Sequence, residues 1–126
     1  MKLREYFESV NGRGVLATAD GDGKVDAAIY ATPHFIDDET IAFIMRDRLT
    51  HSNLQSNPHA AYLFMETSQK FAGKRLFLTK TREEQDSELL YSLRRKKYSD
   101  DQNEHKFLVF FHVDEVLPLI GSGDGA

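Results

Sequence analysis

MRDRLTHSNLQSNPHAAYLF, residues 45–64, is the stretch around which the rest of the chain is organised. It follows an apolar run, TIAFI (residues 40–44), that reads as a strand. A polar turn carrying Arg46 and Arg48 comes next, and Thr50, His51, Ser52 and Asn53 then open a short helix. Pro58 must end that helix, because proline has no amide hydrogen and biases the residue before it away from helix. Another strand, AAYLFM, begins soon after. This order suits an anion, since free backbone amides and the positive end of the helix dipole converge on one spot. The plainer reading is an ordinary helix cap, with Thr50 or Ser52 satisfying the orphan amides.

Upstream, Leu3, Phe7 and Val10 fall at helical spacing, and Asn11-Gly12 can terminate the helix they predict. GVLATA (residues 14–19) reads as the first strand, and Asp20-Gly21-Asp22-Gly23 as a hairpin turn. VDAAIYAT (residues 25–32) alternates, with Val25, Ala27, Ile29 and Ala31 on one face and Asp26, Ala28, Tyr30 and Thr32 on the other. Alanine is a weak strand former, so this small-residue strand marks a place where a flat ligand, a helix or a partner subunit comes close. Pro33-His34 ends the strand or kinks it at an edge. Asp37-Asp38-Glu39 makes the next turn, before the strand that leads into the central stretch.

Downstream of residues 60–65, the fourth strand, residues 67–73 form a polar loop. KRLFLTKT (residues 74–81) is the fifth strand, setting Leu76 and Leu78 against Arg75, Phe77 and Thr79. Thr81-Arg82-Glu83-Glu84 has the form of a capping box and predicts a helix starting there. Its acids, Glu83, Glu84, Asp86 and Glu88, come early, and its bases, Arg94, Arg95, Lys96 and Lys97, come late, which complements the helix dipole. Leu89, Leu90 and Leu93 supply its buried stripe, and the late bases read as a solvated helix end rather than an RNA or phosphate contact. Residues 99–104 read as a polar loop. KFLVFFHV (residues 106–113) is a last strand buried on both faces, in the barrel or at an interface; LPLIG closes the fold and SGDGA reads as a frayed tail. Six strands and three helices in 126 residues predict one domain, residues 1–126, mainly β with helices (α+β), built as a small antiparallel barrel.

A net charge of −4 gives no basic footprint for nucleic acid. The absence of cysteine excludes disulfides, thiolate metal sites and cysteine nucleophiles. Charges throughout MKLREYFESV argue against a signal peptide or a membrane span there, and a cytoplasmic location is expected. His34, His51, His59, His105 and His112 lack the paired spacing of a zinc helix, so no metal is expected. Ser52 has no flanking glycines of a nucleophile elbow, and no phosphate-loop or dinucleotide glycine pattern occurs. No catalytic residue is assigned. A domain of this kind, if an enzyme, takes its chemistry from a cofactor.

Three segments, GVLATADGDGKVDAAIYATPHF, TIAFIM and RLTHSNLQSNPHAAYLF, resemble the pyridoxamine 5′-phosphate oxidase-like family of FMN-binding split barrels. The last is the most telling: the family has a polar or basic phosphate turn, a short helix ending in Asn-Pro (here Asn57-Pro58) and then a strand. KRLFLTKT resembles the family's next strand. The resemblance implies a six-stranded antiparallel split β-barrel and a homodimer with FMN at the subunit interface. Ala28, Ile29, Tyr30 and Ala31 would lie along the flavin ring, and Phe43 and Ile44 would contact ring and ribityl chain. Arg48, Leu49 and Thr50 would occupy the phosphate turn, with Arg46, His51 and Asn53 beside them. Family members often carry an Arg-Lys or Lys-Thr pair where this chain has Leu49-Thr50. Lys74 and Arg75 correspond to a segment supplied by the second subunit, where a cation favours the anionic reduced flavin. The implied function is an FMN-dependent oxidoreductase of unknown substrate, reduced by NADH or NADPH. A non-catalytic electron carrier, store or sensor is the alternative, and a structural dimer without flavin is a third. Haem or deazaflavin in place of FMN stays open. True pyridoxamine-phosphate oxidases carry a longer C-terminal region over the flavin, so the vitamin B6 reaction is not expected of this chain.

Overall fold

The structure is a computed structural model, and it describes residues 2–94 and 104–121. A first helix, α1 (Leu3–Ser9), leads into the hairpin β1 (Gly12–Ala19) and β2 (Val25–Tyr30). The short strand β3 (His34–Phe35) turns into β4 (Thr40–Arg46), followed by α2 (Leu49–Ser56) and β5 (His59–Glu66). β6 (Gly73–Gln85), α3 (Glu88–Leu93) and β7 (Lys106–Pro118) complete the order. The seven strands form one antiparallel sheet in the order β2-β1-β5-β6-β7-β4-β3.

That sheet curls on itself. Phe43 of β4 lies 5.0 Å, ring to ring, from Tyr62 of β5, and 5.8 Å from Tyr30 of β2, although neither strand is hydrogen-bonded to β4. Strand alternation sends Leu16, Tyr62, Phe64, Leu76 and Leu78 into this interior, where they meet Phe7 of α1 and Leu54 of α2. Gly14 makes room for one of these rings, since a Cβ there would fall on the Tyr62 phenol. Tyr62 in turn donates to the carbonyls of Tyr30 (3.2 Å) and Ala31 (3.0 Å), pinning the end of β2.

Six expected strands become seven, because His34–Phe35, read as the end of a strand or a kink, pairs with Ala42 and Ile41. A larger correction concerns residues 81–87. The capping-box pattern predicts helix from Thr81, yet β6 continues to Gln85, with Arg82 opposite Phe110 and Gln85 opposite Phe107 after a bulge. Ladder bonds to β7 outweigh the local motif. The helix begins later, at Glu88, where Ser87 caps it by accepting from the Leu90 amide at 3.1 Å. Of the expected acidic first turn only Glu88 remains in the helix, and Arg94 is its C-cap. Arg95, Lys96, Lys97, most of the 99–104 loop and the SGDGA tail after Gly121 lie outside the described residues.

The last strand is buried on both faces, as its composition predicts. Phe107, Val109 and Phe111 enter the barrel, while Leu108 and Phe110 face outward under Leu90 of α3. A helix of the same chain therefore covers this strand. An open apolar surface lies elsewhere among the described residues, on the outer face of β2, β1 and β5. There Val15 pairs with Ile29 and with Leu63, and Ala17 with Ala27 and with Ala61, while Val25 and Ile29 are 78% and 79% exposed.

Candidate functional site

The turn between β4 and α2 puts Arg46 at the end of a strand and Arg48 at the N-cap of an eight-residue helix. No described side chain caps that helix, and its first turn holds no acidic residue. The ordinary-cap reading is thereby corrected. Thr50 is buried with its hydroxyl bonded to the Tyr30 phenol, and Ser52 lies on the exposed side of the helix. The leading amides of α2 are left to solvent or to an anion.

Three further polar contacts fix α2 and its C-cap against the first hairpin. Asn53, 4% exposed, donates from Nδ2 to Thr18 Oγ1 at 3.0 Å. Ser56 Oγ accepts from the Gly21 amide at 3.0 Å, and Asn57 reaches the Asp20 carbonyl at 3.4 Å. The Asp20 carboxylate meanwhile closes the hairpin turn by accepting from the amides of Asp22 and Lys24, both at 2.9 Å. Asn53 is thus a buried strut between helix and sheet.

His51 is likewise built in. Its ring lies flat on Phe107, with centroids 3.7 Å apart and planes 16° from parallel. Nε2 is 3.0 Å from Glu83 Oε2 on β6, and Nδ1 is 3.4 Å from Asp47 Oδ1. Glu83 also receives Lys80 (2.7 Å) and Gln55 (3.0 Å). Burial works to raise the Glu83 pKa, but hydrogen bonds from Lys80, Gln55 and His51 outweigh it and bring it down to about 2.

The arginines of the turn share one partner that sequence reasoning missed. Glu104 Oε1 is 2.5 Å from Arg48 Nη1, and Oε2 is 3.0 Å from Arg46 Nη1. Nothing in the sequence flags this, because Glu104 is 58 residues from Arg46 in a stretch that reads as solvated loop.

The remaining expected residues divide by face. Ala28 and Tyr30 point toward the barrel interior, Tyr30 packing on Phe43, whereas Ile29 and Ala31 face outward. Phe43 is a core side chain, and Ile44 packs outward with Leu90 and Leu108 beneath α3. Leu49 is exposed at the first position of α2. Lys74 sits over the Tyr6 ring at 4.6 Å. Arg75 donates from Nε to the Pro118 carbonyl at 3.0 Å and from Nη2 to the Gly121 carbonyl of its own chain. The structure thus brings Arg46, Arg48, Leu49, Thr50, His51 and Asn53 together at one end of the barrel, beside β2. Phe43 is turned into the core and Ile44 lies beneath α3, while Lys74 and Arg75 stand on β6. Among the described residues, no group of three or more histidines, aspartates or glutamates is placed to hold a metal ion, and no helix is long and apolar enough to cross a membrane.

No protein-family model matches the chain, and no curated protein does so by sequence. Solved structures do match by shape. One is an FMN-binding protein from Syntrophomonas wolfei subsp. wolfei, with a TM-score of 0.76 and 19% identity over 95% of this chain and 85% of that one. Another is HupZ of Group A Streptococcus, with a TM-score of 0.70 and 21% identity over 100% of both chains. A third is an F420 reductase, with a TM-score of 0.68 and 16% identity over 89% of this chain and 94% of that one. With its curled antiparallel sheet and its helix between β4 and β5, this chain has the split-barrel fold of the pyridoxamine 5′-phosphate oxidase-like proteins.

Proposed function

We propose that the chain binds FMN as a homodimer, with the flavin at the subunit interface, and works as a flavin-dependent oxidoreductase. The observation that carries this reading is the start of α2, an uncapped helix N-terminus with no acid in its first turn and two arginines at its mouth. That donor set fits a phosphate monoester. The outer face of β2 and β1, apolar and exposed, fits a flat ring or a second subunit. Its exposure supports a shared site, since a single chain leaves it open to water. Bound FMN would supply the electron chemistry, and the protein's own contribution is to seat and orient it. In this reading Arg46, Arg48 and the α2 amides hold the phosphate, the outward side of β2 supports the ring, and Tyr62 keeps the end of that strand in place.

A second reading, a flavin carrier or store without turnover, is favoured by one observation. Arg75, the cation that an oxidoreductase would set against the reduced ring, is engaged with carbonyls at Pro118, the end of its own β7, and at Gly121 beyond it. Anaerobic stopped-flow absorbance separates the two. The FMN-loaded protein mixed with NADPH or NADH should bleach, and pyridoxamine 5′-phosphate should not be oxidised. Reduction by dithionite with no bleaching by either nucleotide would select the carrier. Failure to take up FMN at all would remove both.

A further inference from the structure

We infer that Glu104 is the resident anion of the β4–α2 turn, a carboxylate that competes with an incoming phosphate and so sets which anions the turn accepts. The inference rests on the reading of that turn as a phosphate seat. One carboxylate oxygen meets Arg48 at 2.5 Å and the other meets Arg46 at 3.0 Å, so a single group spans both guanidiniums. Two oxygens of a phosphate would make the same bridging pair of charge-assisted hydrogen bonds. The Glu104 side chain is 26% exposed, against 65% for Arg48 and 41% for Arg46. The guanidiniums therefore reach solvent while the carboxylate between them is largely covered.

Charge decides what can enter. Glu104 already offsets one of the two guanidinium charges. An incoming anion must push the carboxylate aside or sit beside it against like-charge repulsion. A monoanion offers the arginines no more than Glu104 already does. A phosphate monoester brings about twice the charge at neutral pH and three acceptor oxygens, and it also reaches the α2 amides. Glu104 thereby selects terminal phosphate over carboxylates and phosphodiesters, and lowers the affinity for every anion.

The test uses the full chain and the variants Glu104→Gln and Glu104→Asp. FMN and riboflavin are titrated by flavin fluorescence, and pyrophosphate by the arginine side-chain NMR signals. Glu104→Gln should bind FMN and pyrophosphate about tenfold more tightly than the wild type, with riboflavin unchanged. Glu104→Asp, whose charge is drawn back by one methylene, should fall between the two. Weaker binding of both anions by both variants would overturn the inference and make Glu104 a positioning residue for the arginines. If pyrophosphate binding tightens while neither wild type nor variant takes FMN, Glu104 is the resident anion and the flavin reading is wrong. If wild type binds FMN and the substitutions move neither ligand, the flavin reading stands and Glu104 does not compete for the turn.

Discussion

His51 lies between two carboxylates, Asp47 and Glu83, with its ring flat on Phe107, and this cluster ties α2 to β6. Glu83 is its centre, holding Lys80, Gln55 and His51 at once. A carboxylate with a depressed pKa stabilises the fold above its unfolded-state value and loses that contribution as pH falls through its folded value. For Glu83 the window runs from the ordinary 4.5 down to about 2. Glu83→Gln should therefore cost roughly 1–3 kcal/mol at neutral pH, and the gap from wild type should close between those limits. Urea unfolding at a series of pH values measures it, and a gap that stays constant from pH 7 to 2 would count against the cluster. At this scale the sequence was partly legible. Arg46 and Arg48 stand beside a helix start in the sequence and in the fold alike, which is what the proposed anion site rests on. The Glu104–Arg46 and Glu83–His51 contacts are not legible in the sequence, since those partners lie 58 and 32 residues apart and only the fold brings them together.

Among the elements, α3 has more effect than its six residues suggest. It covers the outward side of β7, where Leu108 and Phe110 would otherwise face water, and its Leu90 is fully buried. Leu90→Ala should destabilise by roughly 2–5 kcal/mol, read as a lower urea midpoint with an unchanged slope. A loss under half a kilocalorie would mean that α3 is not seated as described. The strand alternation of β1, β2 and β5 was readable from residues alone, because a period of two leaves little choice of face. The extent of β6 was not. Thr81-Arg82-Glu83-Glu84 has the side chains of a capping box, and only the β7 strand, more than twenty residues on, makes an extended conformation the better use of those amides. Alternation along residues 28–31 turns Ile29 and Ala31 outward and Ala28 and Tyr30 toward the interior.

For the whole molecule, β7 is already shielded by α3, and the exposed outer face of β2, β1 and β5 is where the proposed homodimer is tested. Ile29→Glu puts a charge in the middle of that face at a side chain that is 79% exposed in the single chain. The substitution should leave the folded chain stable and halve the mass seen by sedimentation. Wild type and variant running at the same mass would place the interface elsewhere. The split-barrel architecture was legible in the order of strand, basic turn, helix and strand, and the solved structures share it. The flavin proposal depends on the α2 turn, so the most direct measurement is a paired calorimetric titration of FMN and riboflavin into wild type and Arg48→Ala. Wild type should bind one FMN per chain, and Arg48→Ala should weaken FMN by about ten- to a hundredfold while riboflavin is hardly affected. Equal losses for the two flavins, or no FMN binding by the wild type, would contradict the assignment of the phosphate to this turn.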